Sequence, residues 1–398
     1  MQKDLTIAAL RTKVEKLVED LDDDQYPVRD KAHKYLDTMA KEWVQRMHQP
    51  FPGLDLLVGN KSLEQSHRLS KIRSAHEHTY ESVVALPTLW LPTRIAVPEE
   101  WKKLPKGPRA SEVLHVLEEQ MKTRVHFHYH EDFKGSDYIV PDAPVPTAST
   151  GGTFWELLCA VQRATGKHTS IRHGQDQSFY LTRWPTTAYE IACVDGIAAT
   201  LSTSRGAYMC LFADAEPKLL LGNVVVTEAV ATSEKGERIR LHPDASKEPQ
   251  TTIYIAPSQI GRRGKFHLSF TVELTGYRPK SVVVNPNGGP TKIPTAIGDM
   301  EYLGLVGTRE SRADGRVVWQ VRCSHPGRQN VLHHMAMIRC KAFDAKHKAI
   351  AWHAWRVGCS PTFQCEWEFF EEPARLEFVT PERETRKTVT FVFPEVSL

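Results

Sequence analysis

Hydrophobic positions recur at a helical period over residues 1–75 and change between strand and helix periods over 85–185. Through most of 190–398 they alternate at a strand period. Three stretches of different rhythm predict an α+β multidomain chain. Its parts are an N-terminal helical hairpin (1–75), a small α/β module (85–185) and a C-terminal antiparallel β-sandwich region. That region is read as one or two lobes, 190–290 and 291–398.

In the first stretch Leu10, Val14, Leu17 and Leu21 predict a helix from Leu5 to Leu21. The acidic run Asp20-Leu21-Asp22-Asp23-Asp24 ends it, and Pro27 suits the first turn of the next helix. Val28, Ala32, Tyr35, Leu36, Met39, Trp43 and Val44 form that helix's apolar stripe. A shorter third helix is predicted over Leu63 to Ile72.

In the second stretch Ser111 is placed to cap a helix bearing Val113, Leu114, Leu117 and Met121, followed by a strand over Arg124 to His130. Thr153 and Glu156 have capping-box spacing before Phe154, Leu157, Leu158, Val161 and Ala164. Gly166 stands where a left-handed cap is wanted. Strands over His168 to Arg172 and Phe179 to Trp184 then form a hairpin through Gly174–Gln177.

The third stretch alternates clearly: Phe266, Leu268, Phe270, Val272 and Leu274; Val317, Trp319, Val321 and Cys323; Ile350, Trp352 and Ala354; Val389, Phe391 and Phe393. Leu219–Leu221 and Val224–Val226 read as central strands. Turns are predicted at 234–237, 286–289, 313–315 and 344–347. Val226–Leu241 and Ile338–Trp352 share a strand–turn–strand pattern that suggests duplication, with a boundary near Gly289 to Ile297.

The 398 residues hold 51 basic and 48 acidic side chains, well mixed, for a net charge of +3. An electrostatic nucleic-acid binder needs a basic stripe, so this charge pattern argues against one. The sequence contains no apolar run of about 18 residues, so no transmembrane segment is expected. The opening Met1–Leu10 lacks the pattern of a secretory signal. The compartment stays open: cell envelope or extracellular space for a processed product, cytoplasm otherwise.

The seven cysteines contain no C-x-x-C pair, and most fall in apolar patterns where a reduced thiol acts as a small hydrophobe. Cys359 and Cys365 flank a loop that a disulfide could close in an oxidising compartment. On a strand, His126, His128 and His130 share one face, with Val125, Phe127 and Tyr129 on the other. Such a face is a solvated polar surface, a structural or adventitious zinc site, or an open catalytic zinc site. Glu131, Asp132 or His173 would be further ligands or acceptors. Trp352, Trp355 and Trp367 are a candidate aromatic binding face, although alternation puts Trp352 and Trp355 on opposite sides. The run Ala164–Thr169 lacks the first glycine of a phosphate loop, and Cys359 with His353 is set aside as chance adjacency. No catalytic residue is assigned.

Asp22-Asp23-Asp24-Gln25-Tyr26-Pro27-Val28-Arg29-Asp30-Lys31-Ala32 resembles a HEAT-like repeat, whose units need neighbours to bury their faces. Ala110-Ser111-Glu112-Val113-Leu114, Thr153-Phe154-Trp155-Glu156-Leu157-Leu158, Arg163-Ala164-Thr165-Gly166 and Phe179-Tyr180-Leu181 resemble the STN module of secretins and TonB-dependent receptors, over about 92–185. The linker Pro141 to Gly152 is longer than that family usually shows. As a whole the chain resembles uncharacterised multi-module bacterial envelope proteins. The resemblance implies docking to another protein or packing into assemblies, without chemistry. The expected function is therefore a non-enzymatic structural or interaction protein. Its partner is a protein or a second copy of itself, in a ring, filament or layer. A carbohydrate- or cell-wall-binding protein is the alternative, and a zinc-dependent enzyme on the three-histidine face is the third reading.

Overall fold

A computed structural model describes residues 7–57, 62–127, 139–146, 152–173, 178–184, 187–204, 209–242, 252–255, 264–309, 317–325, 337–350, 352–358 and 363–397. The fold is α+β, with helices and several antiparallel sheets. The chain divides into two compact units, Met1–Leu89 and Trp90–Leu398.

The first unit is helical: α1 (Ile7–Asp20), α2 (Tyr26–Met47) and α3 (Leu63–Tyr80). Leu10, Val14, Ala32, Leu36, Leu69 and Ile72 close one core with Phe51 and Leu57. Pro27 lies in the first turn of α2, where its missing N–H costs nothing. The buried line of α2 is Ala32, Leu36, Ala40 and Val44, one residue every four. Tyr35, predicted to share that stripe, is 47% exposed. Ser62 caps α3, accepting from the Gln65 N–H at 3.1 Å. The helix runs past Ile72 to Tyr80 because His76, polar in any hydropathy pattern, is buried there. Its Nε2 accepts the Phe51 N–H at 3.0 Å. A π-helical turn, Glu81–Ala85, follows, and then α4 (Leu86–Thr88).

In the second unit α5 (Ala110–Met121) and α6 (Phe154–Thr165) share a core with β1 (Val125–Phe127), β2 (Thr169–His173) and β3 (Phe179–Arg183). The strand order is β1-β3-β2, with β1 parallel to β3 and β2 antiparallel to it. Phe154, Trp155 and Phe179 meet edge to face at 5.0–5.6 Å. The cap of α5 is Arg109, not Ser111; the Glu112 carboxylate accepts the Arg109 N–H, and Ser111 instead donates to Asp142. Thr153 caps α6, with its hydroxyl shared between the Glu156 N–H and carboxylate. Gly166 has φ +102° and ψ 158°, a region open to glycine but outside the left-handed helical one predicted. The turn 174–177 lies outside the described residues.

A four-stranded sheet follows: β4 (Thr187–Val194), β5 (Ile197–Ser204), β6 (Met209–Ala215) and β9 (Thr252–Ile255). The longest strands form a six-stranded antiparallel sheet. Its members are β7 (Leu220–Ser233), β8 (Arg238–Arg240), β10 (Lys265–Val284), β14 (Arg339–Phe343), β15 (Ala349–Ile350) and β18 (Arg375–Ser397), in the order β15-β14-β18-β10-β7-β8. A five-stranded sheet, order β11-β12-β13-β17-β16, holds β11 (Thr291–Ile293), β12 (Met300–Arg309), β13 (Val317–His325), β16 (Trp352–Gly358) and β17 (Phe363–Phe369).

Phe266, Leu268, Phe270, Val272 and Leu274 are buried in alternation, as their spacing predicts. The two strand–turn–strand segments read as a duplication are the β7–β8 and β14–β15 hairpins, at opposite ends of one sheet. Between them β10 pairs with β18 from Lys265 to Val284, so the segments 190–290 and 291–398 share this sheet. Ile350 and Trp352, expected on one strand, belong to different sheets. Side chains from both large sheets, among them Tyr302, Cys340, Trp367 and Phe378, bury in one cluster.

Residues 90–93 run against this framework. Gly196, in the β4–β5 turn, donates its N–H to the Trp90 carbonyl at 2.7 Å. A Cβ there would stand 3.0 Å from the Leu91 carbonyl oxygen and 3.1 Å from that of Trp90, a close approach that favours glycine. The Trp90 indole packs over Gly276 and donates to Thr385 at 3.0 Å.

Candidate interaction surfaces

Two polar clusters and one strand edge are the places where function could reside. The most buried is Glu216, fully removed from solvent at the end of β6. Its carboxylate accepts the Thr93 N–H at 3.0 Å and the Thr93 hydroxyl, and it pairs with Lys218 Nζ at 3.2 Å. Lys218 also donates to the Leu91 carbonyl at 2.5 Å and to Thr93 Oγ1 at 2.9 Å. A carboxylate this deep needs partners, and Thr93 and Lys218 supply them. The cluster clasps residues 91–93 to the β6–β7 connection.

On the helical unit the exposed side of α2 forms an open groove of about 600 Å³, lined by Tyr26, Pro27, Asp30, Lys31, Lys34, Tyr35 and Thr38. These positions recur at one helical turn, so a single face presents them. Tyr26 is 61% exposed and Tyr35 47%. Both rings are flanked by cations: Lys13 Nζ lies 4.5 Å over Tyr35 and donates to its hydroxyl, while Arg29 and Arg68 lie 5.9 and 5.7 Å from the centre of Tyr26. Lys34 bonds Asp30 at 2.8 Å and holds its carboxyl below the usual carboxylate range. The groove therefore offers two aromatic faces with fixed charges of both signs. Such groups suit non-covalent recognition. Sequence reasoning missed this face because Tyr35 sits next to Leu36 in the apolar pattern.

β16 is the third place. It pairs with β17 on one side, and among the described residues no strand pairs the other. Trp352 and Trp355 lie on it opposite Phe369 and Trp367. The register skips a residue between Trp352 and Ala354, and the side chains of Trp352 and Trp355 lie outside the described residues. Trp367 is not on an exposed aromatic face: it is 1% exposed, edge-on to Phe378 at 5.7 Å.

Of the three-histidine strand, only His126 is described; it is half-buried, its ring 6.3 Å from that of Tyr180. His128, His130, Glu131 and Asp132 lie outside the described residues, as does the side chain of His173. Cys359 and the Cys365 side chain, the suggested disulfide, lie outside them too. No group of three or more His, Cys, Asp or Glu able to hold a metal ion occurs among the described residues. Nor is any described helix long and apolar enough to cross a membrane. Compared with known protein families, with curated proteins and with solved structures, the chain matches none.

Proposed function

We propose that this chain is a non-enzymatic interaction protein that associates with further copies of itself, its helical unit supplying the contact through the Tyr26–Tyr35 groove. In this reading residues 92–185 act as an STN-like module, and the two large sheets act as a β-sandwich that carries it. The observation behind the proposal is a pair of exposed tyrosines held in place by cations. Tyrosine and arginine concentrate where interfaces gain their affinity, and a ring fixed beforehand loses little entropy on binding. The edge of β16 that no described strand pairs adds a second route, strand addition.

Light scattering on the whole chain over a wide concentration range tests this. The expected result is a mass that climbs above the 45.1 kDa of one chain and falls back to it in Tyr26→Ser/Tyr35→Ser. A mass of one chain at every concentration overturns self-association. An oligomer that the double variant leaves intact removes the groove from it and shifts attention to β16.

A further inference from the structure

α6 and β4 each carry one cysteine at their mutual contact. Cys159 is buried inside α6, Cys193 is exposed on β4, and both are free thiols. Their sulfurs stand 2.7 Å apart, against about 2.05 Å in a formed disulfide. Little movement separates this pair from a bond. Sequence alone suggests nothing of it, since the two cysteines are 34 positions apart with two strands between them.

We propose that Cys159 and Cys193 form a reversible disulfide that staples α6 to β4. The co-reactant is a small-molecule disulfide such as oxidised glutathione. Cys193 loses its proton to solvent and its thiolate attacks one glutathione sulfur. The glutathione S–S bond breaks, a mixed disulfide forms on Cys193, and one glutathione thiolate leaves. Cys159 then gives up its proton and attacks the Cys193 sulfur, releasing the second glutathione. Two protein thiols are oxidised by two electrons, and one glutathione disulfide is reduced to two thiols. Access sets the order, because only Cys193 meets solvent. The hydrogen bond to Cys193 and burial both push the Cys159 thiol well above its ordinary range, which accords with Cys193 reacting first and Cys159 second.

The cross-link would close a loop containing the β2–β3 hairpin and fix the α/β module to the four-stranded sheet. Constraining the unfolded chain in this way raises stability.

The test equilibrates the whole chain in glutathione buffers from reduced to oxidised, quenches with acid, alkylates and digests with trypsin. Peptides 135–163 and 184–205 each contain one of the seven cysteines. In oxidised buffer they are expected to appear joined, two hydrogens lighter than their sum, and to separate on reduction. Cys193→Ser, an exposed change, is expected to abolish the joined species, and the thermal midpoint of wild type to rise by several degrees on oxidation. Alkylation of both cysteines at every buffer ratio overturns the proposal. So does a Cys193 that keeps its glutathione or pairs with another cysteine. Mapping of the wild type decides the matter even where the variant folds poorly.

Discussion

The helical unit and the strand unit hold together over very different distances along the chain. In the first, α1, α2 and α3 pack as successive neighbours, and Ala32, Leu36 and Ala40 meet residues of the adjoining helices. In the second, Trp90 reaches Thr385 and Thr93 reaches Glu216, and β10 finds its partner in β18. Local contacts form quickly and cost little loop entropy, whereas distant ones form late. The strand unit compensates with dense aromatic burial, as where the rings of Phe270 and Phe393 meet at 5.9 Å. Each unit is therefore expected to fail by itself, the helices with their shared core and the six-stranded sheet as a whole.

Phe391→Ala should break the comparison hardest. The ring is fully buried on β18, opposite Phe270. Its loss should cost about 3–5 kcal/mol. Hydrogen exchange read peptide by peptide should show β7, β10 and β18 losing protection together, with α1 to α3 unchanged. Equal loss in α1 to α3 would mean that the units are not independent.

Glu216→Gln comes next. It keeps the shape but removes the charge that Lys218 and the Thr93 donors meet, and should cost about 2–3 kcal/mol. Urea unfolding is the measurement, and a change under about 0.5 kcal/mol, the level of an ordinary surface site, would deny the clasp a structural role.

pH separates the units with a smaller effect. Burial holds His76 below its ordinary pKa, so its neutral form belongs to the fold. The unfolded chain binds the proton more readily, and the helical unit should weaken as pH falls below about 6.5. Tyr302 is the reverse. Burial raises its pKa to about 12, and its hydroxyl donates to the Pro286 carbonyl at 2.7 Å. An unfolded tyrosine ionises near 10, so the strand unit should weaken as pH climbs from about 10 towards 12. Circular dichroism of His76→Gln and Tyr302→Phe checks both limbs; a limb that persists unaltered in its variant refutes that assignment.

Where a pattern depends on near neighbours, the sequence is readable. The alternation at 266–275, the Pro27 start of α2 and the Thr153 cap all follow from local rules. The same rules place Tyr35 wrongly, because its neighbour Leu36 takes the buried position. They stop α3 short, because a buried histidine looks polar. They join Ile350 to Trp352, because period alone does not reveal a change of sheet. Of the candidate surfaces, the groove on α2 was not visible, because the exposure of Tyr26 and Tyr35 depends on how α2 turns towards α1 and α3. Nor were the Glu216 clasp and the Cys159–Cys193 contact, since each joins residues that only the folded chain brings together.

The position of β18 has a bearing on synthesis. It lies between β14 and β10, in the middle of its sheet, although β10 is translated some 91 residues earlier (284 to 375). At about 5–20 residues per second a ribosome needs roughly 5–20 s to cover that gap. Throughout it the nascent β10 lacks the neighbour that covers one whole side, while α1 to α3 have long since left the exit tunnel. Chaperone demand during translation is thus expected to rise after β10 emerges and to end when β18 does.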